Sequence, residues 1–470
     1  MSTALPLNRV AGRVVVVGNG PAAHRLVERL RAQGHDGPIT VLGAEGRGAY
    51  NRVLLSSVLD GSLSAAAVSL PGLDAEVHQD AVVTDVDRAQ RSVRTAGGRE
   101  FGYDALVLAT GSRPLVPEIL GLGADQLTAL RTLADCARLE TTRGPVAVLG
   151  GGMLGVESAR ALLTRGRQVT LVHREPHLME RQLDEAGGRI LAERLRALGV
   201  DVRTGVKATA HRSGTLLLGD GSEVPAELVV ACTGVWPEVA LAQRAGVSVN
   251  RGVVVDDQLR TSDPHVHAIG DCAEHRGATP GLVASAWEQA EVLAAHLTGR
   301  DATYCGTPVV SRLQARGIDL ASVGSVRALS SADAEIVTLS DPARGRYAKL
   351  ALHSGRISGA VLLGFPAAIA AISQLHDRDL PMPADRLSLL LGTPAVPGAP
   401  VELPEDAVLC RCNNVTKKSL ISAWHAGARS VAELARATRA TTGCGGCVDD
   451  VGRLSSSLAD RIESEREGAA

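Results

Sequence analysis

Val14-Val15-Val16-Val17-Gly18-Asn19-Gly20-Pro21-Ala22-Ala23 sets the architecture of this chain. Four consecutive β-branched residues predict a strand buried on both faces of a parallel sheet. The glycines that follow read G-x-G-x-x-A. Two glycines let the backbone turn tightly and approach a pyrophosphate, and a small third residue packs helix on strand. The amphipathic stretch Leu26–Leu30 then predicts a helix whose first N–H groups face an anion. A second strand, Ile39–Leu42, is followed by Glu45, an acid placed to accept a ribose hydroxyl. Strand, turn, helix, strand and acid in this order predict a dinucleotide fold rather than a glycine-rich turn without a ligand.

The pattern recurs. Val146–Leu149 leads into Gly150-Gly151-Gly152-Met153-Leu154-Gly155-Val156-Glu157, then a helix, then the strand Val169–Val172. Here no acid ends the second strand, because His173-Arg174 stands there. An arginine in that place accepts a 2′-phosphate, which favours NADPH, while Glu175 leaves NADH open. The expectation is NAD(P)H.

At 470 residues the chain has room for about three or four domains. It is 45% hydrophobic, 21% charged and has a net charge of −2. That balance gives no electrostatic footprint for nucleic acid or a membrane surface as partner. No apolar run approaches the ~20 residues that span a bilayer. The longest, Ala360 to Ile372, contains Pro366 and reads as buried core. The first ten residues carry no signal pattern, so a cytoplasmic location is expected. Thiols stay reduced there, and paired cysteines then point to metal or redox chemistry rather than to staples.

Two further motifs sit between and after the fingerprints: Tyr103 to Pro114, which includes Ala109-Thr110-Gly111, and Ala268-Ile269-Gly270-Asp271-Cys272-Ala273. In this order the four motifs resemble those of the two-dinucleotide flavoprotein reductases. The resemblance implies an α/β fold of two nested Rossmann-like domains. One is a discontinuous FAD domain at 1–115 and 250–300, with an NAD(P) domain at 116–249 inserted. It implies that FAD lies against Gly18, Gly20, Pro21, Ala22, Ala23, Glu45, Ala109, Thr110 and Gly111, with Asp271 on the ribityl chain. NAD(P) would lie against Gly150, Gly152, Met153, Leu154, Gly155, Glu157, His173, Arg174 and Gly234.

Disulfide reductases of this kind need a thiol beside the flavin, and Ala49 to Ser57 contains none. Cys136, Cys232, Cys272 and Cys305 read as small buried residues. Instead Tyr50-Asn51-Arg52-Val53-Leu54-Leu55-Ser56-Ser57 resembles the assimilatory nitrite reductase large subunit and its nitrate-reductase electron-transfer relatives. His177 to Asp184, Trp287-Glu288-Gln289-Ala290 and Ser311 to Leu320 agree with it. By that resemblance Arg52 and Val83 contact FAD, and a helix beginning near Glu288 and Gln289 points at the flavin. Residues 304–385, with strand patterns at Arg346–Leu352 and Ile357–Leu363, resemble the α+β interface domain of these reductases. A linker follows at 386–407, overlapping a proline-rich stretch from Pro381 to Pro404.

The last module, 408–470, is read as small and helical. Thr416 predicts a helix N-cap, and Ser430-Val431-Ala432-Glu433 is a capping box. Around these lie Cys410-Arg411-Cys412 and Cys444-Gly445-Gly446-Cys447, whose four thiols suit either a [2Fe–2S] cluster or Zn²⁺. The segment resembles the bacterioferritin-associated-ferredoxin type of [2Fe–2S] domain, and a flavin upstream favours the cluster. The expected activity is NAD(P)H-dependent electron transfer through FAD and [2Fe–2S], with no side chain as acid or base. The chain ends soon after the cluster motif, with no further cysteines for a sirohaem domain and no room for a molybdenum domain. The expected partner is therefore a separate catalytic subunit, a molybdenum nitrate reductase. Alternatives are a ferredoxin- or rubredoxin-type reductase for another acceptor, and an iron-mobilising partner of a ferritin-like protein.

Overall fold

The computed structural model describes residues 12–391 apart from 308 and 314, then 404–410, 413, 415–441 and 447–467. The chain divides into two units. One comprises the chain up to Arg52, Ala65–Leu115 and Val235–Thr307; the other comprises Val53–Ser64, Val116–Gly234 and the chain from Pro308 on.

In the first unit Val14–Val17 pairs in parallel with Ile39–Leu42 on one side and Ala105–Leu108 on the other. Glu76–His78 and Val266–Ala268 complete a five-stranded sheet. Successive side chains of a strand alternate between faces. Val14 and Val16 accordingly enter one apolar cluster with Ala23, Leu26, Val27 and Leu30. Val15 and Val17 enter another with Val86, Val93 and Tyr103. Those four helix residues fall at i, i+3, i+4 and i+7 of the helix Pro21–Ala32, so one stripe of it is apolar. Each such Val or Leu contributes roughly 1.5–3 kcal/mol on burial.

The second unit repeats the plan. Its parallel sheet runs Asp201–Thr204, Val169–His173, Val146–Leu149, Leu228–Ala231, Leu127–Ala129. The same unit contains an antiparallel five-stranded sheet in which Arg346–His353 and Arg356–Leu363 are central. The helix Pro366–Asp377 covers it through Ala368, Ile369 and Ile372. The apolar run from Ala360 to Ile372 thus supplies core residues, although Pro366 and Ala367 within it are exposed. Arg386–Leu391, read as linker, forms a short helix whose Leu390 joins the same cluster. Asp184 caps the helix Glu185–Ala197 by accepting from Gly187 N–H. It also receives Tyr347 O–H at 2.7 Å and Lys349 Nζ at 3.0 Å. This connection between the nucleotide fold and the antiparallel sheet had no signature in the sequence.

The C-terminal module contains the helices Lys417–His425, Val431–Thr438 and Val448–Glu467. Thr416 Oγ1 accepts from Ser419 N–H, and Ser430 and Glu433 form the capping box. Both caps stand where the side-chain chemistry puts them. Among the described residues no helix is long and apolar enough to cross a membrane.

Candidate functional site

At the carboxyl end of Val14–Val17 the backbone turns at Gly18, where φ is 114°. A Cβ there would collide with the Ala109 carbonyl. Gly20 differs: it precedes the helix, and an added Cβ would meet nothing within 4 Å. An open space thus faces the helix start, where Pro21 occupies the first turn. Asn19 Oδ1 and Ser285 Oγ, both in this unit, are buried with no hydrogen-bond partner among the described residues. Each orphan costs about 1–3 kcal/mol unless a ligand satisfies it. Neither was singled out in the sequence.

Glu45 is engaged. Tyr50 O–H donates to its Oε2 at 2.8 Å, and Arg52 pairs with its Oε1. Arg52 also lies over the Tyr50 ring, 4.7 Å from the centroid. Burial pushes the Glu45 carboxyl up, but hydrogen bonds from Arg52 and Tyr50 outweigh it and hold the group below its usual range. A carboxylate offers about four lone-pair sites, so a ribose hydroxyl can still be accepted. Thr110 Oγ1 donates to the Glu238 carbonyl at 2.7 Å, and the Gly111 carbonyl accepts from Glu238 N–H at 2.9 Å. Ser112 Oγ donates to Asp271 Oδ2 at 2.8 Å, fixing that carboxylate beside Gly270. Gly270 N–H donates to Gln289 Oε1 at 2.7 Å, and a Cβ on Gly270 would press on Ala22. Val83, half-buried, opens the strand Val83–Asp87.

One expectation is corrected here. The helix carrying Glu288 and Gln289 spans Val283–Leu297, so both lie within it rather than at its start. Pro280-Gly281 marks the true entry. Glu288 accepts from Thr307 Oγ1 at 2.6 Å.

The second fingerprint matches the first. Gly150 has φ 105°, and a Cβ there would collide with the Cys232 carbonyl; one on Gly155 would strike the Gly150 carbonyl. Gly152 precedes the helix Met153–Thr164 and, like Gly20, has open space where a Cβ would project. Met153 and Leu154 form its first turn, and Glu157 is buried one turn on. Gly234, with φ 110°, also borders open space. His173 ends its strand buried, its ring turned under Gly151. Arg174 is exposed and donates from Nε to Glu175 Oε1 at 2.9 Å. In both fingerprints the cradle before the helix start fits a pyrophosphate.

In the C-terminal module Cys410 and Cys447 are buried in one cluster with Leu420, Trp424 and Leu434. Cys410 ends the short strand Val408–Cys410. Arg439 and Thr441, at φ 64° and 65°, reverse the chain after Val431–Thr438. Asn413 Nδ2 donates to the Arg439 carbonyl, bringing the two halves of the motif together. Cys412 and Cys444 lie outside the described residues. Two thiols from opposite ends of the motif in one small core fit a tetrathiolate centre.

Three of the remaining thiols are poor nucleophiles. Burial pushes Cys136 and Cys232 up to about 12 and raises Cys272 as well. Cys272 Sγ donates to the Leu108 and Ile269 carbonyls. Cys305, expected to be buried, is exposed.

Residues 12–290 match the family model for pyridine nucleotide-disulphide oxidoreductases. Residues 310–375 match the rubredoxin NAD⁺ reductase C-terminal domain, and 408–454 the BFD-like [2Fe–2S] binding domain. The chain is 34% identical to a nitrite reductase [NAD(P)H] of Bacillus subtilis, over 93% of this chain and 56% of the relative. It is 33% identical to the assimilatory nitrate reductase electron transfer subunit of the same organism, over 93% of this chain and 58% of the relative. The chain thus spans about half the length of these curated relatives. Among solved structures, the covalent putidaredoxin reductase–putidaredoxin complex superposes with a TM-score of 0.72 at 29% identity. That match covers 82% of this chain and 97% of the other.

Proposed function

The chain belongs to the pyridine nucleotide-disulphide oxidoreductase family, and from that premise we propose that it is the electron-transfer subunit of a cytoplasmic assimilatory nitrate reductase. It is an NAD(P)H-dependent flavoprotein oxidoreductase with a [2Fe–2S] domain. When bound, FAD and the cluster supply two-electron and one-electron chemistry respectively. The chain's own residues bind and orient. The helix starts behind Gly20 and Gly152 receive the two pyrophosphates, and Glu45, with Arg52 and Tyr50 behind it, receives the FAD ribose. Asp271, fixed by Ser112, holds the ribityl chain. Cys410, Cys412, Cys444 and Cys447 hold the cluster. In the domain division we propose, 1–115 and 235–300 bind FAD, 116–234 bind NAD(P), and 304–385 form the interface domain; residues 235–249, expected with NAD(P), pack with the FAD fingerprint instead. Beyond the helix Arg386–Leu391, a linker up to residue 407 leads to the cluster domain at 408–470.

The observation that carries the reading is the pairing of two dinucleotide cradles with a cysteine-lined core, without a thiol in Ala49–Ser57. Reducing equivalents then leave by way of the C-terminal module, as suits a chain that serves a separate molybdenum-containing subunit. The full chain mixed with such a purified subunit should reduce nitrate at the expense of NAD(P)H. Failure there, with rapid NAD(P)H-dependent reduction of a rubredoxin, would favour the second reading: a rubredoxin-type reductase, which the match at residues 310–375 supports.

Cofactor choice rests on Arg174. Its pair with Glu175 has side chains 78% and 37% exposed, and such surface pairs contribute about 0–1 kcal/mol. A hydrogen bond to a charged group contributes about 1.5–3 kcal/mol, so Arg174 gives up Glu175 for a 2′-phosphate. Arg174→Glu should lower kcat/KM for NADPH about tenfold or more and leave NADH within about twofold. Equal effects on both would remove Arg174 from the site.

A further inference from the structure

Gly151, the middle glycine of Gly150-Gly151-Gly152, is held on both sides, by the last residue of the next strand and by the segment after it. Its N–H donates to His173 Nδ1 at 2.9 Å, in a buried contact. Its carbonyl accepts from Met179 N–H at 2.9 Å. With Nδ1 as acceptor, the ring proton of neutral His173 sits on Nε2. That nitrogen faces Glu180 Oε2 at 3.1 Å and donates to it. The carboxylate therefore selects the tautomer that can receive Gly151.

Met179 reaches Gly151 from φ 53°, a left-handed conformation that a methionine adopts only at a cost. It is fully buried, and its carbonyl accepts from Gln182 and Leu183 N–H at 2.8 Å each. A Cβ on Gly151 would come within 2.7 Å of the His173 ring, so the segment lies flush against the glycine. The stretch from His177 to Asp184, conspicuous in the sequence but without a role in binding, thus forms a buckle on the phosphate loop.

We propose that His173 is a positioning residue for NAD(P)H, clamping Gly151 together with Met179 so that the N–H groups from Gly152 onward stay aimed at the pyrophosphate. His173 is then not a ribose acceptor that replaced an acid. It acts through Gly151 and serves NADH and NADPH alike. The inference rests on the reading that Gly150–Glu157 receives the pyrophosphate of NAD(P)H.

The test measures ADP-ribose, NADH and NADPH dissociation constants in the full chain, with FAD content and melting temperature as fold controls. His173→Leu removes the acceptor and leaves a buried N–H unpaired. All three constants should rise about tenfold, the kinetic effect should fall on KM rather than kcat, and amide exchange across Gly150–Gly155 should quicken before any ligand is added. His173→Asn presents Oδ1 near the place of Nδ1 and should restore binding to within about threefold of wild type. If the leucine variant does not fold, Glu180→Ala decides, since it removes the tautomer lock at a partly exposed carboxylate and should weaken binding about threefold. Unchanged binding in His173→Leu, or in Glu180→Ala where that variant decides, would overturn the proposal. So would equal weakening in the leucine and asparagine variants, which would make the ring mere packing. Wild-type protein that bound no dinucleotide would instead overturn the reading of the loop, and the clamp with it.

Discussion

Cys447→Ser protein should lose the visible absorption of an iron–sulfur centre, keep its FAD, and lose reduction of its one-electron protein partner by about 100-fold or more. Cys447 is buried in the same small core as Cys410, and a serine hydroxyl is a poor substitute for a thiolate on iron. The FAD and NAD(P) fingerprints are far along the chain and untouched. NAD(P)H-dependent reduction of a two-electron dye should therefore stay within about twofold of wild type. Rapid-mixing spectra separate the two losses, because flavin bleaching and partner reduction are read at different wavelengths. Two of the other thiols are weak: burial holds Cys136 and Cys232 near 12. A variant that supported partner reduction at the normal rate would make the centre structural. Zinc without iron or labile sulfide in protein prepared without oxygen would remove the cluster from the account.

Gly152→Val should fold normally and bind FAD, yet lose NAD(P)H affinity by about two to four orders of magnitude. Gly152 has φ −74° and ψ −177°, which any residue adopts. A Cβ there meets nothing within 4 Å, so the apoprotein is not strained. The valine methyls would occupy the space in front of the helix Met153–Thr164. Losing two charge-assisted hydrogen bonds at about 1.5–3 kcal/mol each gives the stated range, at ~1.4 kcal/mol per tenfold. Gly150→Val is the contrasting case. It combines φ 105° with a collision against the Cys232 carbonyl, so it should lower the melting temperature as well. Equilibrium titration beside a thermal melt distinguishes the two, and unaltered affinity in Gly152→Val would place the dinucleotide elsewhere.

Much of this arrangement was legible in the residues, for identifiable reasons. Val14–Val17 and Val146–Leu149 are uninterrupted apolar runs, each followed at once by a glycine, which leaves their strands little choice. Thr416 and Ser430 cap helices because their hydroxyls satisfy N–H groups that nothing else reaches. The inward turn of His173 was not legible, since it depends on Met179 and Glu180, whose loop has no periodicity. Glu288 stands inside its helix and not at the start, because the chain is punctuated at Pro280-Gly281 and Trp287-Glu288-Gln289 carries no breaker. The Asp184 contact with Tyr347 and Lys349 joins residues more than 160 positions apart, and no local pattern encodes such a pair. Cys305 looked like the other lone cysteines, and only tertiary packing distinguishes its exposed surroundings.

The order of strands in the first sheet has a consequence for synthesis on the ribosome. Val266–Ala268 is its edge strand and pairs with Ala105–Leu108, so more than 150 residues must be translated between the two partners. The sheet cannot close until the intervening segment has left the exit tunnel, and that segment includes the whole second fingerprint. The nascent chain therefore has the opportunity to complete the later nucleotide fold first. The module from residue 408 on, by contrast, is contiguous and is translated after both nucleotide folds. A pause or truncation near residue 400 should release a chain able to take up both dinucleotides but lacking all four cluster cysteines.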